Sequence, residues 1–206
     1  MIYNKKGFTL IEIVAVVIII GIVFTIAVPM VSSYILDSRK TSYYGSISAY
    51  VETIQSEYDM REFGDYIDDS EIMLVPIKLI KLESGDSDST PFGYYDYNKS
   101  YVVIKSSVYT NEYYANFLDD ANYGVSNLNI NSISKGSIKN INSDDIIGLN
   151  SFISCVNNKY NLNDNVFSFN GKEYSACDYR IYKKEYSDDY QCSGNSDIPV
   201  IVMCEN

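Results

Sequence analysis

Glu12 is the one ionisable side chain in an otherwise apolar run, FTLIEIVAVVIIIGIVFTIAVPMV, over residues 8–31. A carboxylate inside a membrane helix costs about 3 kcal/mol, so such a residue needs a partner and a task. Glu12 sits five residues into the run, close to the α-amino group that a cut after Gly7 would create on Phe8. That amine carries positive charge, and one from a neighbouring subunit would neutralise Glu12 once helices pack side by side. The other residues equipped for chemistry are Cys155, Cys177, Cys192 and Cys204, an even number confined to the last quarter of the chain. Their separations of 22, 15 and 12 residues contain no CxxC pair to bring two thiolates onto one metal. The pattern favours two disulfides over zinc, and an oxidising compartment over the cytoplasm.

The element that must position Glu12 is a helix. At 1.5 Å per residue, the run would be about 36 Å long, against a hydrocarbon core of roughly 30 Å. It is longer than the apolar region of a secretory signal peptide. Lys5 and Lys6 precede it, so the positive-inside rule keeps the short leader in the cytoplasm and sends the rest outward. Gly21 and Pro29 interrupt it; Gly weakens a helix by about 1 kcal/mol relative to Ala, and an interior Pro by about 3. Membrane helices carry both residues more often than soluble ones do. In a helix that leaves the bilayer to repack in a bundle, the stretch between them would be soft enough to let a filament extend.

The octapeptide KKGFTLIE resembles the processing motif of type IV prepilins and type II secretion pseudopilins, in which a dedicated peptidase cuts after the Gly and methylates the new N-terminal residue. Carried over by position, Gly7 is the cleavage residue, Phe8 the methylated N-terminus and Glu12 the assembly carboxylate. Gly21 and Pro29 match places where helices of this family unwind in filaments. The resemblance implies a cleaved basic leader at 1–7, a transmembrane and polymerising half-helix at 8–31, and an amphipathic half-helix at 32–61. An extracellular, β-rich head follows at 62–206. Together these are an α+β, pilin-like fold with a long N-terminal helix on an antiparallel sheet. It also implies partners: prepilin peptidase, a pilus assembly ATPase and platform protein, the membrane, and a homo- or hetero-polymer with other pilins. The subunit would sit in the cytoplasmic membrane before assembly and in a surface filament after it. A pseudopilin of a secretion or DNA-uptake machine shares this architecture. A signal-anchored binding protein that never polymerises is the reading from another class; it requires an uncut Gly7–Phe8 bond and a dispensable Glu12.

Beyond residue 31 the apolar residues Leu36, Tyr43, Ile47, Tyr50, Val51, Ile54 and Tyr58 keep helical spacing, which predicts an amphipathic helix to about residue 61. A strand or helix is expected at 73–82, then a Gly-Asp-Ser linker at 83–91. Strands are expected at 94–97, 101–105 and 108–118 as an antiparallel meander. Surface loops and short strands follow at 119–145, then a short helix at 149–156. A hairpin at 166–169 and 172–176 turns on Asn170-Gly171. The last strands are expected at 179–183 and 198–203; their antiparallel pairing would bring Cys177 near Cys204 and leave Cys155 for Cys192, one of three possible connectivities.

Several function classes fall away. The chain has no His, which removes Ser-His-Asp and Cys-His nucleophiles and HExxH zinc sites. A formal charge of -11 opposes direct binding of nucleic acid, whose phosphates require clustered cations. No phosphate loop, GxGxxG turn or GxSxG elbow is present. Asp119-Asp120 and Asp144-Asp145 read as solvated loop carboxylates, and 161–165 lacks the Gly and closing Glu of a calcium loop. The sequence therefore predicts no enzyme, cofactor or metal. Asn98-Lys99-Ser100 fits the N-glycosylation pattern. Most of the 21 Tyr residues are expected to be half-buried strand residues.

Overall fold

The computed structural model describes residues 7–82, 88–107, 110–156, 159–182 and 198–206. Lys5, Lys6 and Cys192 lie outside the described residues, as do residues 83–87 of the expected linker and 108–109 of an expected strand. The chain divides into two compact units, Met1–Arg39 and Lys40–Asn206.

The first unit holds the N-terminal part of helix α1 (Leu10–Asp59). Its apolar side chains, among them Ile11, Ile18, Ile22, Phe24 and Val31, are exposed all round the helix. The helix is long and apolar enough to cross a membrane by length and composition. A helix that is apolar on every side must be covered by lipid or by other helices.

In the second unit α1 is one-sided. Tyr43, Ile47, Tyr50, Val51, Ile54 and Tyr58 recur three or four residues apart and are buried, as the spacing predicts. The helix ends in a Schellman motif. The Glu62 N–H donates to the Glu57 carbonyl and the Arg61 N–H to the Tyr58 carbonyl, while Arg61 takes a left-handed φ of 59°.

The buried face of α1 packs on an antiparallel sheet. Its strands are β1 (Glu71–Pro76), β2 (Tyr101–Lys105), β3 (Glu112–Leu118), β4 (Tyr123–Asn129), β5 (Lys139–Asn140), β8 (Val166–Phe169), β9 (Lys172–Arg180) and β10 (Val200–Glu205). Among the described residues the order is β5-β4-β3-β2-β1-β10-β9-β8. A separate hairpin joins β6 (Ile153–Val156) and β7 (Lys159–Leu162). The central strands read EIMLVP, YVVIK and VIVMCE, without alternation, because both of their faces are covered. Met73, Val75, Val102, Ile104, Val200 and Val202 meet the helix. Ile72, Leu74, Tyr101, Val103, Ile201 and Met203 face a second core, closed by Ile146, Leu149, Phe152, Ile153 and Phe167. Aromatic rings fill the first interface: Tyr50 stands edge-on to Tyr95 at 5.8 Å, and the Tyr43 hydroxyl donates to the Tyr123 carbonyl at 3.3 Å.

The α+β architecture of a long N-terminal helix on an antiparallel sheet is as the sequence predicts, and four local expectations differ. Residues 94–97 form only isolated bridges, Ser89 with Tyr94 and Tyr95 with Asp119. The Tyr94 N–H goes to Asp120 Oδ1, 26 residues on, and Asp96 turns the chain by accepting the Asn98 N–H, so side-chain acceptors, one distant and one local, take the place of a ladder. Residues 149–156 are a 3₁₀ turn, Leu149–Ser151, followed by strand β6, where β-branched residues pair with β7. Residues 73–82 divide between β1 and a 3₁₀ turn at Ile77–Leu79. Residues 119–145 hold the expected short strands, here β4 and β5, but bury isoleucines that a surface stretch would leave exposed. Ile133 and Ile138 join the core on the helix side of the sheet, and Ile141 and Ile146 the core on the other side, so the chain wraps the sheet edge at β5.

Candidate processing and assembly site

Gly7, Phe8 and Thr9 precede α1, and all three are exposed, Phe8 at 85%. The helix begins at Leu10 because Thr9 caps it. The Thr9 N–H donates to Glu12 Oε2 at 2.7 Å, the Thr9 hydroxyl donates to the same oxygen at 2.8 Å, and the Glu12 N–H returns to Thr9 Oγ1 at 3.4 Å. This is a capping box, with Thr9 as N-cap and Glu12 three residues on, and it satisfies two of the N–H groups that a helix start leaves open. An acidic side chain in the first turn also meets the positive end of the helix dipole. Glu12 thus holds a local structural role beside the assembly role expected of it. The Thr-x-x-Glu spacing is the sequence signal of the box, set inside an apolar run whose length points instead to a membrane helix.

Gly21 and Pro29 both lie inside α1. Pro29 has no N–H to give the Thr25 carbonyl. Around it three hydroxyls bond back to the preceding turn: Thr25 to the Ile22 carbonyl, Ser32 to that of Val28 and Ser33 to that of Met30. These bonds end on the Ile22, Val28 and Met30 carbonyls and not on that of Thr25, and back-bonding of this kind tends to bend a helix.

In the second unit Cys177 and Cys204 form a disulfide with Cα atoms 5.8 Å apart. Cys155 is disulfide-bonded as well, and the expected pairing with Cys192 lies outside the described residues. Glu71 stands beside Cys177 and Cys204 with three potential donor atoms within 4.8 Å, but disulfide sulfurs lack the thiolate charge that a metal would draw on.

Asp119 is buried at 1% exposure and works as a strut. Its Oδ1 accepts the N–H groups of Ala121 and Tyr123, and its Oδ2 accepts the Thr90 hydroxyl at 2.8 Å. Burial pushes its carboxyl above the usual range, against those hydrogen bonds. Asp120 holds the Tyr94 amide, so the pair closes a turn rather than flanking a substrate cleft. Asn98 is equally committed: its Oδ1 accepts the Asn150 N–H at 2.9 Å, and its amide nitrogen would stand 2.3 Å from a Cβ on Gly148.

Residues 2–28 match the family model of the prokaryotic N-terminal methylation motif. No curated protein and no solved structure matches the chain. The match spans Gly7, Phe8, Thr9 and Glu12, the residues at the capped start of α1. At its N-terminus the chain thus bears the methylation motif that is the hallmark of the type IV pilin and pseudopilin family.

Proposed function

We propose that this chain is the structural subunit of a type IV pilus-like filament. It is made as a precursor, cut after Gly7 by prepilin peptidase, methylated on Phe8 and held in the cytoplasmic membrane by the N-terminal part of α1. An assembly ATPase and platform protein then extract it into a polymer of pilins at the cell surface, for adhesion, motility or display. Glu12 pairs there with the Phe8 amine of a neighbour, and the stretch from Gly21 to Pro29 lets the filament extend. The observation that carries the reading is the methylation motif lying over a helix whose apolar surface is uncovered on every side.

N-terminal mass spectrometry of envelope and sheared surface material tests it. Methylated Phe8 in the sheared fraction is the expected result. Methylated Phe8 confined to the envelope would make the subunit a pseudopilin instead. An intact leader in every fraction would sink the polymer.

A further inference from the structure

This inference rests on the processing reading above and concerns how the bond to be cut is presented. Hydrolysis adds water to the Gly7 carbonyl carbon, breaks the bond to the Phe8 nitrogen, and leaves a carboxylate on Gly7 and a protonated amine on Phe8. In a helix the Gly7 carbonyl would instead accept the Ile11 N–H, four residues on. What separates these two situations is where α1 begins.

We propose that Thr9 is a positioning residue for leader removal: its cap fixes the helix start at Leu10 and so keeps the Gly7–Phe8 peptide outside helical hydrogen bonding. The Thr9 N–H and hydroxyl both end on Glu12 Oε2, and the Glu12 N–H is turned toward Thr9 Oγ1. A helix that grew backward through Phe8 would have to draw the Glu12 N–H to the Phe8 carbonyl and the Thr9 N–H away from the carboxylate. Gly7 and Phe8 are exposed, and among the described residues nothing lies within 4 Å of where a Gly7 side chain would stand, so none of them shields the bond from a peptidase.

The test follows the initial rate of leader loss, by the mass of the full chain embedded in membranes with a prepilin peptidase, for the wild type, Thr9→Ser, Thr9→Asn, Thr9→Val and Thr9→Ala. Rates are normalised to the precursor present, which removes differences in insertion. Ser and Asn are good N-caps and should be cut near the wild-type rate, whereas Val and Ala should be cut about fivefold more slowly, the population ratio of a lost N-cap. Val nearly matches Thr in shape, so a rescue by Ser and Asn that Val does not share follows capping and not bulk. Thr9→Val cut as fast as wild type would overturn the proposal, and so would Ser and Val slowed alike. A wild-type chain left uncut would overturn the processing reading itself, an outcome distinct from both.

Discussion

Cys204 lies opposite Ser175 in the β9–β10 ladder, while its disulfide partner Cys177 is the extra residue of the irregularity between Val202 and Met203. Asp178 pairs with Val202 and Ala176 with Met203, so Cys177 has no opposite number and is free to reach across to Cys204. A bulged residue leaves the ladder and re-aims its side chain, and here that side chain forms the covalent tie. The bond closes a separation of 27 residues. Replacing both cysteines with Ser should lower stability by roughly 2–4 kcal/mol, read as a lower denaturant midpoint with a steeper slope, since the unfolded chain loses a cross-link.

Glu12→Gln separates the two roles of this side chain. Gln retains an oxygen for the Thr9 N–H, so the cap survives, but it removes the charge that a neighbour's amine would meet. Gln should leave α1 and membrane insertion intact and abolish polymer in the sheared fraction. Filaments at the wild-type level would show that only the cap matters.

Two glycines should respond in opposite directions to Ala. A Cβ on Gly124 would stand 1.8 Å from the Phe117 carbonyl oxygen, a backbone atom that cannot yield without disturbing the β3–β4 ladder. Gly124→Ala should destabilise by roughly 1–3 kcal/mol. Gly45 lies within α1 with nothing within 4 Å, so Gly45→Ala should stabilise by up to about 1 kcal/mol through helix propensity. Thermal melts of the detergent-solubilised chain give both signs.

Alkali should unfold the second unit. Burial pushes the Tyr43, Tyr95 and Tyr101 phenols well above their ordinary value of 10, and pushes Tyr113 up to about 12. The folded chain therefore holds these protons at a pH where the unfolded chain has lost them. Stability from these groups is fully present below pH 10 and is lost as pH rises through the window from 10 to 12 and beyond. Denaturant midpoints measured against pH should fall in that window, with a step of tyrosinate absorbance at unfolding added to the gradual ionisation of the exposed tyrosines.

Much of this was legible in the residues, and what was not has a physical reason. The periodicity of Tyr43 to Tyr58 gives the packed face of α1, and Asn170-Gly171 gives the β8–β9 turn, with φ of 49° and 79°. The antiparallel pairing of β9 with β10 brings Cys177 to Cys204. The burial of Ile133, Ile138, Ile141 and Ile146 has no sequence signal, because isolated residues and the short Ile146-Ile147 pair carry no sustained period; each is buried by a distant part of the sheet. Residues 94–97 have the composition of a strand, yet Asp96 takes the Asn98 N–H locally and Asp120, distant in sequence, takes that of Tyr94. The Thr9 hydroxyl has no role by itself and gains one only with Glu12 three residues on.

The place of β10 in the sheet carries a consequence for timing. It is the last strand along the chain, yet it lies between β1 and β9 and supplies Val200, Ile201, Val202 and Met203 to both cores. Until residues 200–205 have emerged, β1 and β9 have no shared neighbour, and the two halves of the sheet cannot zip together. A chain delivered N-terminus first must therefore wait, part-folded, for its final strand, with long-range pairing as the slow step. On the proposed function, helix α1 would reach the membrane first in that sequence, and anchoring there would tether the waiting head away from its fellows while the keystone arrives.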